Sequence, residues 1–428
     1  MNRFPVKAAL MTLALFAGGS AWADGAPAGA AKPAPQCLGS EGHAASFAGR
    51  RTFRLRPDWM ATTKGALTRP DLAPAYQLLI KRAGAALAGP TYTVVDKLKT
   101  PPSGDKHDYM SMGPYWWPDP GKPNGEPYVR RDGEVNPERS TDAFDVSDLE
   151  AMSGAVEALS LAYYFTDDRR YADKAAQLLR AWFLDAATRM NPNASFAQGV
   201  PGRTPGRAEG VLDTFRLLRV VEGIGLLGPS GTLTAADQAG LERWFADYAA
   251  WMQASPTGRE ERAATNNHGN WYDYQLATFA LFAREDDLAR RVIATVGPQR
   301  IASQMAPDGS LPEELKRTRA LHYSYFALEP LVGLADLARC TGQDLWQFET
   351  ADGRGLRKGF AFLAPYVGSE ESFPFKELEP HKAAASAAPL LTYAAWAYGD
   401  EAFGAAASLA AKARSVSPGD LLIAPYEP

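Results

Sequence analysis

The chain has 428 residues, with 45 Lys and Arg against 49 Asp and Glu, and a formal net charge of −4 at pH 7. The two signs of charge are interspersed, which argues against a nucleic-acid partner, since such a protein carries a basic stripe. The length would allow two or three domains, but no shift in composition marks a boundary. With two cysteines, the chain can form at most one disulfide and no cysteine-based metal site.

The N-terminus has the features of a secretory signal peptide over residues 1–23. Basic residues precede an apolar run over residues 8–17, and an Ala-Trp-Ala segment ending at Ala23 offers a cleavage site. The apolar run is too short to span a bilayer. We therefore expect a periplasmic or secreted protein, with a flexible leader rich in Ala, Gly and Pro over residues 24–48 and a single domain over residues 49–428.

From about residue 70 onward, apolar residues recur at helical spacing in one segment after another. The predicted helices cover residues 71–88, 146–165, 168–186, 209–226, 234–254, 270–284, 286–296, 320–340, 353–365, 383–398 and 399–414. Helices in hairpin-like pairs fit either a solenoid or a closed ring. Because no sequence repeat of fixed period is visible, we predict an all-α fold, a closed (α/α) toroid of six or seven helical pairs.

Two long connections interrupt the predicted helices, at residues 89–145 and 187–208, and long loops in a compact domain are usually functional. The first carries Tyr115, Trp116 and Trp117 beside prolines. Such rings can stack on pyranose rings or, alternatively, plug the end of a helical barrel. We expect at least one of the two tryptophans to plug the barrel and at least one ring to line a cleft.

The second long connection carries Gln198, Arg203 and Arg207. Guanidinium groups can hold carboxylates through two parallel hydrogen bonds, and the amide of Gln198 can bind hydroxyl groups. A solvated basic loop is an equally good interpretation of each arginine taken singly.

The segment from residue 264 to residue 275 packs amides, an imidazole, aromatic rings and a carboxylate into a predicted helix start. Unpaired amide N–H groups at a helix start favour an anionic ligand. The alternative is that Asn266 or Asn267 only caps the helix and that His268 is a satisfied, half-buried imidazole. The density of polar groups in the whole segment favours a functional site.

A third polar segment, residues 312–325, supplies cations together with a phenol. Arg319 and Tyr323 are four residues apart and so are expected on one helical face, whereas Arg317 is expected just before the helix. An ordinary charged helix start is the alternative. It is weakened because Lys316, Arg317 and Arg319 all oppose the helix macrodipole.

The segments HDYMSMGPYWWPDP, NNHGNWYDYQ and ELKRTRALHYSYF, in this order and spacing, resemble the alginate lyase superfamily, especially its glucuronan and alginate lyase branch. The resemblance covers about residues 75–400. It implies an (α/α) toroid and cleavage of polyuronates by β-elimination. It also implies that Asn267 and Arg317 neutralise the uronate carboxylate, that His268 acts as or assists the base, and that Tyr323 donates a proton.

Further residues are predicted to bind the substrate, and Glu261 matches an acidic position of the family before the NNHG segment. This substrate-binding set comprises His107, Tyr115, Trp116, Trp117, Gln198, Arg207, Glu261, Trp271, Tyr272 and Arg319. The two arginines near Tyr323 compete for one role, because family spacing favours Arg317 and helical geometry favours Arg319. We predict that Arg317 binds the carboxylate and that Arg319 supports Tyr323.

The chemistry of β-elimination fits these residue types independently. Removing the C5 proton of a uronate builds negative charge next to a carboxylate, and amide, imidazole and guanidinium donors stabilise the resulting enolate. A phenol, with an ordinary pKa of about 10, serves as a base only where nearby cations favour its anion. In 4-linked glucuronan or mannuronan, H5 and the C4–O bond lie on the same side. Tyr323 can therefore move both protons, with His268 sharing the task.

Two other functions are considered. A glycoside hydrolase on a similar toroid needs two carboxylates about 5 to 10 Å apart, and no obvious motif pairs the acidic residues here. A non-catalytic periplasmic polyuronate-binding protein would keep the aromatic rings but tolerate loss of Tyr323. For the predicted lyase we expect a monomer that binds an anionic polysaccharide, with no nucleic acid, membrane, metal or cofactor.

Overall fold

Helices make up most of the chain in the computed structural model, which describes residues 36–424 as part of one compact unit. The α-helices are α1 Pro57–Lys64, α2 Ala73–Ala88, α3 Val146–Thr166, α4 Arg169–Leu179, α5 Leu217–Leu226, α6 Ala235–Ala254, α7 Pro256–Ala263, α8 Asn267–Phe282, α9 Asp286–Val296, α10 Ala302–Gln304, α11 Pro312–Leu315, α12 Ala320–Ala338, α13 Leu356–Leu363, α14 Pro380–Ala385, α15 Ala388–Tyr398 and α16 Glu401–Ala413. The short strands are β1 Met110–Met112, β2 Trp116–Trp117, β3 Val129–Arg130 and β4 Phe196–Gly199.

The mostly helical fold is confirmed, with local differences from the predicted helices. Helices α1 and α7 were not predicted, because each is only eight residues long and begins with a proline. The predicted helix over residues 383–398 is broken into α14 and α15, and the one over residues 209–226 begins as a 3₁₀-helix, Ala208–Arg216. The closed toroid stays a prediction.

The predicted signal peptide lies outside the described residues, but the end of the predicted leader does not. Cys37 forms a disulfide with Cys340, at a Cα–Cα distance of 4.4 Å, and so ties residue 37 to the end of α12. His43 and Phe47 are buried, and the Phe47 ring packs edge-on against Tyr164. Residues 36–48 are therefore packed, and the prediction of a flexible leader as far as residue 48 is wrong for this part.

Helices α8 and α12 form the centre of the core and run in the same direction. Asn270 near the start of α8 donates its side-chain N–H to the Ala327 carbonyl, and further along Gly333 lies against the ring of Tyr274. Every residue of α8 except His268 is buried. Because the two helices are parallel neighbours, their N-terminal ends meet at the same place.

One pair of short strands joins the two long connections, and a second pair lies within the first connection. Strand β1 lies parallel to β4, with Met110 opposite Phe196, and β2 pairs antiparallel to β3, with Trp116 opposite Arg130. The backbone N–H groups in these loops thus find partners that no helix supplies. This pairing fixes the aromatic residues of the first connection beside the arginines of the second.

No helix within residues 36–424 is long and apolar enough to cross a membrane.

Candidate active site

The start of α8 is a rigid turn. The Asn266 side chain caps the helix by accepting the backbone N–H of His268 at 3.2 Å. Arg300 forms a buried ion pair with Asp273 at 2.7 Å and donates to the Ala264 carbonyl at 2.9 Å. A side chain at Gly269 would collide with this arginine and with the same carbonyl, so the turn requires glycine. The capping interpretation is thus right for Asn266, and it leaves Asn267 and His268 available for other roles.

His268 is paired with a buried carboxylate. Its Nδ1 lies 2.6 Å from Oε1 of Glu261, which lies in the last turn of the preceding helix α7. The Glu261 side chain is 2% exposed and that of His268 is 18% exposed. Burial lowers the pKa of His268, but the charge and hydrogen bond of Glu261 outweigh it and raise that pKa above its ordinary value. With Nδ1 bound to Glu261, Nε2 is the ring atom left to accept a proton.

Asn267 is held by a second buried carboxylate, Glu314 of the short helix α11. Its backbone N–H donates to Oε1 of Glu314 at 2.7 Å, and its Nδ2 lies 2.9 Å from each carboxylate oxygen. The amide oxygen of Asn267 has no hydrogen-bond partner within the described chain. The amide donor that was predicted to neutralise a uronate carboxylate is therefore already engaged by Glu314.

Tyr323, near the start of α12, lies between a second phenol and a cation. Its hydroxyl is 2.6 Å from that of Tyr115, and the guanidinium carbon of Arg317 lies 3.8 Å from its ring centre. Burial, followed by the interaction with Tyr115, raises the pKa of Tyr323, while Arg317 acts in the opposite direction. Tyr323 is consequently a neutral phenol at neutral pH.

Arg317 itself is fixed by Asp132 from the first long connection. Its Nη2 lies 2.9 Å and its Nε 3.3 Å from the two carboxylate oxygens of Asp132. Burial opposes ionisation of Asp132, but the hydrogen bond and charge of Arg317 lower its pKa to about 2. The Nη1 group of Arg317 makes no hydrogen bond to any residue in the 36–424 range, so this group is available to a ligand.

Arg319 does not support Tyr323. It precedes α12 with a non-helical φ of −127°, so the four-residue spacing does not put the two side chains on one face. Its Nη2 lies 2.7 Å from Glu379 and its Nε 3.9 Å from Glu377. The predicted role of Arg319 beside Tyr323 is therefore wrong, and the cation next to the phenol is Arg317.

Tyr115, Trp116 and Trp117 are half-buried, and Trp116 packs against a small apolar cluster outside the main core. Trp116 contacts two cations, with the guanidinium carbons of Arg203 and Arg207 at 5.2 and 5.9 Å from its ring centre. Trp117 donates its indole N–H to the Glu134 carbonyl at 3.0 Å. Neither tryptophan plugs the helical core, which corrects that part of the prediction.

Gln198 positions Arg207. Its side-chain oxygen accepts Nη2 of Arg207 at 2.7 Å, and its nitrogen donates to Asp213 at 3.0 Å. Arg207 also bonds Glu209 at 2.6 Å, and its charge interacts with that of Glu261. Gln198 is thus fully engaged and is not free to bind a hydroxyl group, whereas the charge of Arg207 acts on Glu261, the partner of His268.

Three predicted substrate-binding residues lie elsewhere. His107 bonds the Arg189 carbonyl through Nδ1 at 2.6 Å. Trp271 and Tyr272 are buried core residues that donate to the carbonyls of Phe326 and Met252. These two were wrongly predicted because α8 is packed on all sides, so every ring that follows its first turn enters the core.

Glu314 and Asp132 are the functional candidates that the sequence did not single out. Glu314 lies within the third polar segment, where the macrodipole accounts for an acidic residue at a helix start. Asp132 belongs to no recognisable motif. Its importance follows only from the fold, which brings β3 and the turn after it against the start of α12.

A pocket of about 350 Å³ among the core helices is lined in part by Glu329 and Trp271. The Trp271 ring lies 5.0 Å from that of Phe326, which is in turn 6.5 Å from the Tyr323 ring. Packed aromatic rings thus separate this pocket from the cluster of polar side chains formed by His268, Tyr323 and Arg317.

Over residues 36–424, no group of three or more His, Cys, Asp or Glu side chains could hold a metal ion.

The fold and this cluster define a mostly helical protein with an oriented imidazole, a neutral phenol and a guanidinium at the joined ends of two core helices. The family described as "Alginate lyase" matches residues 93–373. The chain belongs to this alginate lyase family.

Solved structures support the same relationship. The crystal structure of an alginate lyase from Bacteroides ovatus is 38% identical with a TM-score of 0.84, covering 87% of this chain and 99% of that one. Alginate lyase A1-III from Sphingomonas species A1 is 18% identical with a TM-score of 0.50, covering 82% and 95% of the two chains, which is a likeness of fold alone.

Curated relatives match over shorter segments. An alginate lyase from Pseudomonas fluorescens is 36% identical over 110 residues, which are 25% of this chain and 28% of the relative. A polysaccharide lyase from Stenotrophomonas maltophilia is 41% identical over 80 residues, 18% of this chain and 24% of the relative. The chain therefore spans about a quarter of the length of these relatives.

Proposed function

We propose that this protein is a secreted, monomeric polysaccharide lyase that cleaves a 4-linked polyuronate, glucuronan or alginate, by β-elimination on a closed (α/α) toroid. The products would carry a 4,5-unsaturated uronate at the new end. The observation that supports this most directly is the meeting of the α8 and α12 starts, which joins the pair of His268 and Glu261 to Tyr323 and Arg317. Family membership and the names of the relatives support the same substrate class.

In the proposed reaction His268 is the base. Its neutral Nε2 takes the C5 proton, while Glu261 holds Nδ1 and stabilises the imidazolium that forms. The electrons of the C5–H bond become the enolate, and their return forms the C4=C5 double bond as the C4–O bond breaks. Tyr323 then gives its phenolic proton to the leaving oxygen.

The raised pKa values suit this division of roles better than a single tyrosine that moves both protons. Burial and Tyr115 keep Tyr323 protonated, which a proton donor requires. The phenolate left behind is stabilised by Arg317 over the ring and by a hydrogen bond from Tyr115. The imidazolium of His268 can then reprotonate this phenolate through solvent, which returns the site to its starting state.

Neutralisation of the uronate carboxylate is assigned mainly to Arg317. Asp132 fixes two of its nitrogens and leaves Nη1 for the substrate, so the cation is already in place before the enolate forms. Asn267 has a positioning role in this proposal, since its N–H groups hold Glu314 and its free oxygen accepts hydrogen bonds but cannot donate one.

A glycoside hydrolase is the less favoured alternative. It needs one carboxyl group to protonate the leaving oxygen and a second carboxylate to act on the sugar. Glu261 and Glu314 are the buried carboxylates of the cluster, and they are engaged by His268 and Asn267. These two carboxylates are therefore not free to act together as the acid and the nucleophile of a hydrolase. A binding protein without activity is the other alternative, and turnover distinguishes it.

One experiment tests the proposal. The purified protein is incubated with glucuronan, polymannuronate, polyguluronate and hyaluronan, and absorbance of the unsaturated product is followed. We expect rising absorbance with at least one of the first two polymers. New reducing ends without absorbance would identify a hydrolase, and polymer binding without either signal would identify a binding protein.

N-terminal sequencing of the exported protein tests the proposed secretion. We expect the mature chain to begin at Asp24.

A further inference from the structure

A second groove, of about 370 Å³, runs between the two long connections. Its walls come from strand β1, from the turn after β4, and from Lys99 and Phe144. It contains none of the residues assigned above to proton transfer. Its size is that of a site for one or two sugar rings.

The charge of this groove is entirely positive. Among its lining residues Lys99 and Arg203 are the charged ones, and no carboxylate lines it. The protein as a whole carries a net charge of −4, so an acid-free groove is not a consequence of composition. Neither cation forms an ion pair with a residue of the described chain, although the protein pairs many of its other arginines with carboxylates.

Both cations are held in place by aromatic rings. The Lys99 Nζ lies 4.5 Å from the centre of the Phe144 ring. Arg203 lies over Trp116 at 5.2 Å, and its Nε donates to the Tyr128 carbonyl at 2.8 Å. Rings orient a cation without cancelling its charge. The two cations therefore keep their full charge for an anionic ligand.

Trp116 links the groove to the candidate active site. Its ring contacts Arg203, which lines the groove, and also Arg207, whose charge interacts with that of Glu261. Contacts thus lead from the reacting groups through Arg207 and Trp116 to Arg203, and Lys99 lines the same groove as Arg203. A chain of linked uronates carries one carboxylate per ring, and these cations offer counter-charges to such a chain.

We propose that this groove binds uronate residues of the substrate away from the bond that is cleaved, with Arg203 and Lys99 pairing with their carboxylates. This inference rests on the proposed function, because that function supplies the polyuronate. It predicts a dependence on chain length, since only an oligosaccharide long enough to extend past Trp116 reaches the two cations.

The test compares the double variant Arg203→Gln, Lys99→Gln with a control, Lys81→Gln, Lys412→Gln, which removes the same charge from exposed positions on α2 and α16. On long oligouronates we expect the groove variant to raise KM roughly three- to tenfold, with kcat unchanged. On the shortest substrate that is cleaved, groove and control variants should match. Added salt should narrow the difference, and Arg203→Lys should restore part of the loss.

Equal KM values for the groove and control variants on long substrates would overturn the inference while leaving the lyase activity established. A fall in kcat on substrates of every length would also overturn it, because it would mean that Arg203 serves only to hold Trp116. If the unaltered protein turns over no polyuronate, the proposed function fails. Calorimetric binding of a long oligomannuronate to both variants then decides the groove separately, and equal affinities would overturn it.

Discussion

The two helix starts that meet in the cluster are built in different ways. At α8 the partners of His268 and Asn267 are almost fully buried carboxylates, Glu261 and Glu314. At α12 the partners of Tyr323 and Arg317 are a half-buried phenol and a partly exposed carboxylate from the long loop. One side of the site is thus part of the core, and the other depends on a loop that packs over it.

This difference matches the chemistry assigned to each side. A base needs one fixed tautomer and a stable orientation, which a buried carboxylate at Nδ1 supplies. A proton donor and a carboxylate clamp must meet a polymer that enters and leaves, so they lie where a loop can adjust. Variants at the α12 start should therefore change turnover with little change in stability, whereas some variants at the α8 start should change both.

The largest effect is expected for Tyr323→Phe. The variant keeps the ring under Arg317 but loses the proton that the leaving oxygen needs, so kcat should fall roughly 10³- to 10⁴-fold. Thermal unfolding should be almost unchanged. The measurement is product absorbance at saturating substrate, with Tyr115→Phe as the control. If Tyr115→Phe proves the more damaging of the two, the phenol that donates the proton has been assigned to the wrong ring.

Glu261→Gln should lower kcat by roughly 10²-fold and also move the pH–rate profile. His268 acts only when neutral, so activity rises with pH through its raised pKa. Removing the anionic partner lowers that pKa, and the acidic limb should shift to lower pH as the rate falls. An acidic limb that stays in place, or moves to higher pH, would show that it does not report His268 as the base.

The carboxylate clamp is tested by Arg317→Lys and Arg319→Lys on one defined oligouronate. Lysine keeps the charge but not the planar fork that bonds Asp132 and the substrate together, so kcat for Arg317→Lys should fall roughly tenfold to 100-fold. Arg319 points toward Glu377 and Glu379, and its variant should stay within about twofold of the unaltered enzyme. A larger loss of kcat for Arg319→Lys than for Arg317→Lys would show that Arg319 binds the substrate carboxylate.

Much of the fold was predictable because helical periodicity is a strong signal in long segments. The structure confirms predicted helices such as α3 and α9 almost residue for residue. The packing of residues 36–48 was not predictable, because it depends on the disulfide from Cys37 to Cys340, a contact between distant parts of the chain. The pairing of strands β1 and β4 likewise exists only because the two long connections meet.

In the candidate active site, the local sequence identified the polar side chains but not their orientations or their hydrogen-bond partners. The sequence singled out the segment around His268, and the structure brings it near Arg317, because Glu314 interacts with the charges of both residues. The catalytic roles of His268, Tyr323 and Arg317 stay predictions. Arg319 was misplaced because helical spacing was applied to a residue that lies just before the helix. Gln198 looked free because its partner Asp213 is fifteen residues further along the chain. Side-chain partners of this kind depend on tertiary packing, which the spacing of apolar residues in the sequence does not predict.

A smaller effect on chemistry than that of Arg317→Lys, and the clearest effect on stability, is expected for Asn267→Ala. This change removes both side-chain hydrogen bonds to Glu314, whose carboxylate is 1% exposed and keeps only the backbone N–H of residue 267. A buried carboxylate that loses donors costs about 1 to 3 kcal/mol of unfolding free energy. Chemical denaturation measures this cost.

A double-mutant cycle with Glu314→Ala separates the amide from its partner. Because the two side chains mainly serve each other, the double variant should lose clearly less stability than the sum of the single changes. Turnover of Asn267→Ala should fall less than that of Arg317→Lys, since the amide nitrogen is engaged by Glu314 and not by the substrate. If Asn267→Ala instead abolishes turnover while stability is unchanged, the amide must release Glu314 and bind the uronate carboxylate itself. The α8 start would then hold the clamp as well as the base.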